Sequence, residues 1–522
     1  MATYSWLSKT AAVFALQDRL KSANGGFWSD AECEIYIWES LRHWNGLTEQ
    51  WNSLFPINNA NGQWINTGTL TGSPRLRSVT DLYLYNQMCS MLLEPQLSAG
   101  AWAGTNQFTL QNLQYCLQKR TQEVIQAASC NLAQLSSIDA TPGVNAGYAL
   151  ADTVLQPRRM RFLALVVDTT GTASSGASTV TLGSPQGVFE GQVIGGAGIQ
   201  AGTFVTGIAG NVASISLPTS GALAGSEVQF FLPVTLTRED ALAFQSFNPE
   251  YEQEVGYPQS WAIASEPPLS FDVDIAPTTP GYFDVIALNA GPTFAPPTPS
   301  LLGVPDDWSM VPMYGALADV LGMEAEATDR QRAAYCMERY TQILEMMKES
   351  NWLLKTFING VAIPSTSLAE MDSQAVGWQQ SQNNLPTVVQ AGMDLIAPVP
   401  GNGQLVSVSL LGNAPLLDST NTYVQVSRDD FEAVLNYAQH LASFKEGGAE
   451  FAATMPLLKD FYRAAASVNK RWATYGVFVE MLRAEGRKQN EAEPRTPNEY
   501  DAGQIAISDL FSSFGGTRGG SR

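Results

Sequence analysis

The chain has 522 residues and a formal net charge of −20 at pH 7, so we expect more than one domain and a strongly acidic protein. Lysine and arginine form no basic stripe along the chain, which argues against tight binding to a phosphate backbone and against docking on an anionic membrane. An acidic wall past which DNA slides is compatible with this composition.

The cysteines are scattered and show no Cys-x-x-Cys spacing; they are Cys33, Cys89, Cys116, Cys130 and Cys336. This pattern predicts reduced, mostly buried thiols in a protein that is made in the cytosol. No uninterrupted apolar run is long enough for a transmembrane helix, and the N-terminal residues lack the layout of a secretory signal. We therefore expect no association with a membrane.

Residues 1–157 are predicted to be mainly helical. Ser29 and Glu32 have the spacing of a capping box, so a helix should begin there and continue along a stripe of apolar residues. Two further helices are expected at about 79–93 and 107–129. These helices would form the N-terminal helical region of the molecule.

Residues 158–236 differ in composition, because they are rich in glycine, serine, threonine and valine and nearly free of charge. They contain short alternating runs of the kind found in strands that are joined by glycine turns. The runs are 178–182, 203–208, 212–217 and 228–231. We therefore predict a small glycine-rich β-sandwich or β-barrel domain, inserted into an otherwise helical protein.

Residues 237–350 and 351–488 carry one pattern twice: a strand, a turn, a second strand and then helices. The apolar positions at the start of the helical part coincide without a gap and form one helical stripe in each copy. Trp308, Val311, Tyr314 and Leu321 correspond to Phe431, Val434, Tyr437 and Phe444. Such a duplication suits a scaffold better than a single active site.

The helices of the two copies are expected at about 307–322, 328–350, 427–446 and 449–485. Thr328 and Gln331 have the spacing of a second capping box. The remaining segment, 489–522, reads as an extended C-terminal tail that would be poorly ordered alone and would have to dock on a neighbour to become ordered.

Candidate catalytic or metal-binding groups are few. His43 and His440 each lie on or beside the apolar stripe of a predicted helix, and a structural or surface role fits them better than catalysis or metal binding. Gly196 and Gly198 fit a loose dinucleotide fingerprint. A strand sequence follows them where that fingerprint requires a helix, so we predict a glycine-rich β-turn instead.

Acidic residues occur in three pairs, Asp272/Asp274, Asp306/Asp307 and Asp429/Asp430. Two carboxylates across a cleft serve glycosidases, and several oxygen ligands together bind Ca²⁺. The second and third pairs precede helices in the two copies, where a carboxylate can cap free N–H groups and favours the positive end of the helix dipole. We therefore interpret these two pairs as helix caps.

Arg158, Arg159 and Arg161 form the one compact basic cluster of the sequence, just before the glycine-rich strands. Contact with the acidic face of a neighbouring subunit and a solvated loop are both compatible with this cluster. Contact with DNA is a third interpretation.

Two stretches resemble one protein family. The first is Phe27-Trp28-Ser29-Asp30-Ala31-Glu32 with Leu41-Arg42-His43-Trp44-Asn45-Gly46-Leu47-Thr48; the second is Val304-Pro305-Asp306-Asp307-Trp308 with Arg332-Ala333-Ala334-Tyr335-Cys336-Met337-Glu338-Arg339-Tyr340. Both resemble head-to-tail adaptor, or connector, proteins of tailed bacteriophages. The resemblance implies a ring of subunits, commonly twelve, that docks under the portal protein around the DNA channel. Members often dock an extended C-terminal tail on the portal.

The sequence as a whole predicts an α+β fold with a helical bundle-like core, an inserted small glycine-rich β domain and a duplicated strand-turn-strand-helix-helix unit. No catalytic, cofactor-binding or metal-binding residues and no cofactor are expected. The predicted function is that of a non-enzymatic virion protein, assembled in the host cytoplasm, which forms a homo-oligomeric ring in the phage neck or tail. Its partners would be the portal protein and tail or nozzle proteins, with DNA passing through without sequence-specific binding.

Three alternatives stay open. The chain is much longer than short adaptors, so it could instead be a tail hub, nozzle or collar subunit. An enzyme of another class, a tail-associated glycan hydrolase, would use paired carboxylates such as Asp306 and Asp307. A capsid-decorating or host-attachment module would act through the inserted β domain.

Overall fold

The computed structural model describes residues 5–21, 26–57, 64–67, 77–94, 107–247, 250–265, 269–296, 298–323, 329–350, 352–374, 378–380, 387–396, 405–417 and 421–472. Residues Met1–Asn469 form one compact unit, and Lys470–Arg522 form a second, of which only residues 470–472 are described. The segment boundaries predicted near 157, 236 and 350 all fall inside the first unit. The predicted tail, 489–522, lies outside the described residues.

The α-helices follow the predicted order along the chain. They are α1 (Lys9–Arg19), α2 (Asp30–Thr48), α3 (Asp81–Met91), α4 (Leu110–Ala128), α5 (Ala241–Phe247), α6 (Met310–Gly322), α7 (Arg330–Glu349), α8 (Leu368–Gln374), α9 (Arg428–Ser443), α10 (Gly448–Ala453) and α11 (Met455–Val468). The capping box at α2 is confirmed, because the Ser29 hydroxyl accepts from Glu32 N and the Glu32 carboxylate accepts from Ser29 N.

Two helix boundaries differ from the prediction. Asp329 caps α7 by accepting from Arg332 N, whereas Thr328 lies outside the described residues. The helix predicted at 449–485 is interrupted at Thr454, so α10 and α11 are separate helices. Pro456 in the first turn of α11 has no backbone N–H, which favours a helix start at this position over a continuous helix.

The strands are short except for two. In chain order they are β1 (Asn52–Ile57), β2 (Trp64–Ile65), β3 (Leu132–Ala140), β4 (Tyr148–Ala149), β5 (Val154–Ala173), β6 (Thr179–Leu182), β7 (Val193–Gly196), β8 (Val205–Ala209), β9 (Val212–Ile215), β10 (Leu223–Arg238), β11 (Val255–Gly256), β12 (Ser260–Ser265), β13 (Ser270–Val273), β14 (Ala276–Pro277), β15 (Gly281–Asn289), β16 (Leu353–Ile358), β17 (Val361–Ile363), β18 (Ser365–Ser367), β19 (Val388–Ala391), β20 (Asp394–Ile396) and β21 (Val406–Leu411). This mixture of helices and strands confirms the predicted α+β class.

Within the described residues the strands form four sheets. The largest has the order β4-β13-β12-β10-β5-β6-β9-β8, with β15 pairing β3 and β5, and β7 pairing β10. Two four-stranded sheets have the orders β1-β21-β16-β17 and β18-β19-β20-β2, and β11 pairs β14. The four-stranded sheets both join a strand from the N-terminal region to strands from beyond residue 350.

The glycine-rich region lies on a ribbon of two long antiparallel strands. β5 and β10 pair from Met160 with Leu236 to Ala173 with Leu223, so residues 158 and 236 lie within strands and not in linkers. One end of the ribbon belongs to a buried cluster with Trp261 and the other to a separate cluster with Val180, both almost devoid of charge. The sequence predicted the short strands β6, β8 and β9 but not the length of β5 and β10.

The two copies of the duplicated pattern use matched helices and different sheets. All eight stripe residues are buried, as the periodicity predicts. Helix α6 packs on α7, and α9 packs on α11 and α2. The strand of the first copy, β15, pairs β3 and β5, whereas that of the second copy, β21, pairs β1 and β16. Among the described residues, no helix is long and apolar enough to cross a membrane.

Candidate functional site

A buried carboxylate pair lies where the N-terminal helices meet both copies of the duplicated pattern. Asp306 Oδ1 accepts from Ser78 N over 2.7 Å and from Val79 N over 2.9 Å. Its Oδ2 accepts from the Ser78 hydroxyl and from Asn413 Nδ2, the latter over 2.9 Å. A single carboxylate therefore ties two segments that are more than 300 residues apart in the sequence.

Asp307 makes the corresponding ties to helix α2. Its Oδ2 accepts from Asn45 Nδ2 over 2.6 Å, and its Oδ1 accepts from Ala414 N over 3.2 Å. The two aspartates are buried, and together their four oxygens accept hydrogen bonds from other segments. We call the group of Asn45, Asp306, Asp307 and Asn413 the Asp306–Asp307 hub.

The interpretation of Asp306 and Asp307 as helix caps is wrong. They lie in a turn of 3-10 helix (Asp306–Trp308), and neither Pro305, which precedes this turn, nor Ser309, which precedes α6, makes a side-chain cap. Their carboxylates point to other chain segments because these segments bring buried N–H donors that need acceptors. Sequence reasoning missed this, because the donors are remote in the sequence.

The corresponding pair in the second copy behaves differently. Ser427 caps α9 by accepting from Asp430 N, and Asp429 and Asp430 occupy the first turn, where negative charge favours the helix dipole. For this pair the predicted interaction with the helix dipole is therefore correct. The capping hydrogen bond, however, is made by Ser427 and not by either aspartate. Asp272 and Asp274 instead accept from the backbone N–H groups of Gly147 and Gln259.

Burial sets the protonation behaviour of the hub. Burial raises the pKa of Asp307 to about 7, against the opposing effects of the hydrogen bonds from Ala414 and Asn45 and of the positive charge of Arg42. Arg42 itself pairs with Glu39, and both side chains are buried. A carboxylate with this pKa can hold a proton near neutrality, but its oxygens already accept bonds from buried donors.

The structure brings the two histidines into one aromatic cluster, although no sequence signature links them. The ring of Tyr437 lies 5.3 Å from that of His43 and 6.4 Å from that of His440, measured between centroids. His43 Nε2 lies 2.8 Å from the Tyr462 hydroxyl. Both histidines are fully buried, in line with the structural role that the sequence favours.

The hydrogen bonds of His440 fix its tautomer. The Thr454 hydroxyl donates to Phe451 O over 2.7 Å, so it can only accept from His440, whose Nδ1 lies 2.8 Å away. Nδ1 therefore carries the proton, and Nε2 accepts from the Tyr335 hydroxyl over 2.6 Å. Burial, and to a smaller extent the positive charge of Arg339, lowers the pKa of both histidines to about 3.

Arg339 is the buried cation of this cluster. Its guanidinium carbon lies 5.8 Å from the ring centroid of Tyr335 and 5.7 Å from that of Tyr462, so two aromatic faces stabilise its charge. Sequence reasoning did not single out Arg339. The available signal was its position on α7, where it lies on the same helical face as the buried Cys336 and Ile343.

The arginine cluster separates into two internal residues and one external residue. Arg159 pairs with Asp372 over 2.8 Å and lies over the Trp378 ring, and Arg161 pairs with Asp284. These two are buried and neutralised within the chain. Arg158 is exposed and lies at a β-bulge of β5, where the pairing with β15 passes from Arg159 to Pro157.

Other sequence candidates have structural positions. Gly196 ends strand β7 with a φ of +147°, and a Cβ there would lie 2.8 Å from Glu227 O, so a β-ribbon and not a dinucleotide loop requires this glycine. All five cysteines are free and buried, as predicted. No set of three or more histidine, cysteine, aspartate or glutamate side chains in the described part of the chain could hold a metal ion.

An open groove of about 500 Å³ lies beside β18 and α7, lined by polar residues that include Lys348, Thr366 and Glu370. Its aromatic residue, Trp352, is buried and donates through Nε1 to Gly392 O over 3.2 Å. Sugar sites commonly present an exposed aromatic face. The groove therefore lacks, within its described lining, the stacking surface that a glycan site would use.

No protein-family model matches this chain, and a search of curated proteins also finds no match.

Proposed function

We propose that this chain is a structural virion protein that forms a homo-oligomeric ring in the head-to-tail connector of a tailed phage. In this role it joins the portal to tail or nozzle proteins around the DNA channel. The proposal starts from the two stretches that resemble adaptor proteins, residues 27–48 and 304–340.

One observation carries the proposal: these two stretches, which the sequence separates widely, contact each other directly. Asn45 donates to Asp307 over 2.6 Å across 262 sequence positions. At the next residue, a Cβ on Gly46 would lie only 2.9 Å from the indole of Trp308. The recurrent residues of the resemblance thus form one packed unit, which is what a shared structural core requires.

The architecture that accompanies this proposal has three parts: a helical bundle-like core, a glycine-rich β domain inserted into it, and a duplicated strand-turn-strand-helix-helix unit. The β5–β10 ribbon with its separate buried cluster supports the second part. The buried stripes of α6 and α9 support the third.

The rival function, glycan hydrolysis through Asp306 and Asp307, has little support from the hub geometry. A retaining or inverting glycosidase needs two carboxylates that face a substrate across a cleft. Here both side chains are buried, and their oxygens accept from Ser78, Val79, Asn413, Asn45 and Ala414. The pair behaves as a structural tie, and we propose that the protein is not an enzyme.

The deciding experiment is native mass spectrometry combined with electron microscopy of the purified chain, alone and mixed with the portal protein of the same phage. We expect closed rings, or rings that form on the portal. A chain that stays monomeric in both samples contradicts the proposal. Turnover of cell-wall or surface glycans that is lost in Asp306→Asn and Asp307→Asn variants would instead support the hydrolase.

A further inference from the structure

An exposed pair of arginines lies at the root of the β5–β10 ribbon. The last paired positions at this end are Met160 and Leu236; Arg158 and Arg238 each lie two residues beyond them, near enough for the charge of Arg238 to act on Arg158. Arg158 donates from Nη2 to the Ser129 hydroxyl over 3.0 Å, and Arg238 lies 5.6 Å from the ring centroid of Trp261. Both guanidinium groups are therefore held in place while their side chains stay exposed.

The charges of this pair are not neutralised by the described part of the chain. Neither arginine forms an ion pair there, in contrast to Arg159 and Arg161 on the same strand, which pair with Asp372 and Asp284. Burial and the neighbouring charge of Arg238 lower the pKa of Arg158, so the two cations repel each other. Two like charges held together in a protein of net charge −20 cost free energy unless an anion binds them.

The chain segment between β10 and β12 also carries exposed apolar side chains. After Arg238 the chain runs through this segment to β12, which lies beside β10 so that Trp261 is paired with Arg238. Within this segment Leu242 is 70% exposed, Val255 58% and Tyr257 43%. Arginine, tyrosine and exposed aliphatic residues in one stretch of chain, without lysine, have the composition that protein interfaces favour.

We propose that this pair of exposed arginines, Arg158 and Arg238, named the Arg158–Arg238 patch, binds a carboxylate-bearing surface of a second copy of this chain. The partner is a second copy because each copy carries 49 acidic and 29 basic residues and so presents the complementary charge. In the proposed ring the acidic counterpart lies on a different face of the subunit from the patch, which makes the contact head-to-tail and able to close. This inference rests on the proposed ring and identifies one of the two subunit surfaces that would meet at each contact between neighbouring copies.

A nucleic acid fits the patch less well than a second copy does. Two arginines neutralise about two phosphates, whereas proteins that bind DNA tightly use several such contacts. The acidic remainder of the chain would repel a DNA backbone that approached the patch.

The test compares the assembly of the full chain with that of Arg158→Glu and of the double variant Arg158→Glu/Arg238→Glu, by analytical ultracentrifugation and native mass spectrometry. We expect the double variant to associate at least about tenfold more weakly, and Arg158→Glu to show an intermediate loss. Circular dichroism identifies variants that fail to fold, and Arg158→Glu leaves the contact of Arg238 with Trp261 intact.

The matched control is Arg330→Glu/Arg428→Glu, which changes the charge equally at two exposed positions in the first turns of α7 and α9. It should assemble like the unaltered chain, and an equal loss in this control would overturn the assignment. Unchanged assembly of the patch variant overturns the patch and leaves the ring standing, whereas a monomeric unaltered chain contradicts the ring itself. Binding of the unaltered chain to duplex DNA at low salt, lost in the patch variant, would identify a nucleic-acid partner instead.

Discussion

The side-chain amide of Asn45 donates from Nδ2 to Oδ2 of Asp307 over 2.6 Å, and so joins the end of α2 to the start of the helical part of the first duplicated unit. The same nitrogen donates to Gly412 O over 2.7 Å, and Asn45 Oδ1 accepts from Trp51 N over 3.1 Å. One buried amide therefore satisfies polar groups of three segments. The consequence is that stability of the whole unit should depend on this residue.

Replacement of Asn45 by alanine should lower the free energy of unfolding by about 2–4 kcal/mol, because it leaves the buried Asp307 oxygen and the Trp51 N–H without this partner. Urea denaturation followed by tryptophan fluorescence measures the change. Asn52→Ala, at an exposed asparagine of β1, is the control and should change stability by less than about 0.5 kcal/mol. Equal effects of the two substitutions would contradict the role of the hub.

Gly46→Ala should also destabilise the protein, by about 1–3 kcal/mol, although alanine normally favours a helix over glycine. The reason is steric: the new Cβ would lie 2.9 Å from Cζ2 of the buried Trp308 indole. Gly322→Ala in α6 is the matched control, because among the described residues its Cβ would meet Ala333 alone, at 3.9 Å. A neutral or stabilising Gly46→Ala would show that α2 can move away from Trp308.

His440 should make the protein sensitive to acid. Its pKa is lowered to about 3 in the folded chain, so below about pH 6.5 the unfolded chain binds a proton that the folded chain does not, and stability falls as the pH decreases. The contribution is about 1.4 kcal/mol per pH unit between pH 6.5 and about 4. The stability gap between the native chain and His440→Gln should therefore narrow at this rate on acidification. A gap that is constant with pH would contradict burial of a neutral imidazole.

Asp307 should act in the opposite direction. Because its pKa is raised to about 7, the folded chain binds a proton before the unfolded chain does, and the favourable contribution is fully present below about pH 3.8 and lost as the pH rises to 7. The stability gap between the native chain and Asp307→Asn should widen by about 1.4 kcal/mol per unit as the pH falls from 7 to 4. Parallel pH curves would show that Asp307 titrates normally.

The outer part of the glycine-rich region should be dispensable for folding of the rest. Residues 166–230 can be replaced by Asn-Gly, which would connect the paired residues Leu165 and Phe231 by a two-residue hairpin turn. The cluster around Trp261 keeps its buried residues in this variant, since the residues removed belong to the cluster around Val180 or lie outside both. We expect the helical circular-dichroism signal, divided by the number of helical residues, to be unchanged. Thermal unfolding should remain cooperative. Loss of the helical signal would show that the two clusters depend on each other.

Sequence reasoning worked where the determining contacts are local. The capping box predicts the start of α2, and the stripes beginning at Trp308 and Phe431 predict buried helix faces. It failed at Asp306 and Asp307, because their donors lie at residues 45, 78 and 413–414 and no local pattern reveals them. The length of β5 and β10 was missed for a similar reason, since each strand is stabilised by partners that lie from 50 (Ala173 with Leu223) to 76 (Met160 with Leu236) positions away in the sequence.

The partners of α2 also determine when this chain can fold during its synthesis. Trp28 Nε1 donates to Ala442 O across 414 positions, and Asn469 Nδ2 donates to Leu47 O across 422 positions. A ribosome makes the N-terminal helices first, but the residues that bury them emerge only when most of the chain has been translated. The apolar faces around Trp44 and Leu47 therefore stay exposed for most of translation, and we expect the nascent chain to be a good chaperone client until residues near 470 have left the exit tunnel.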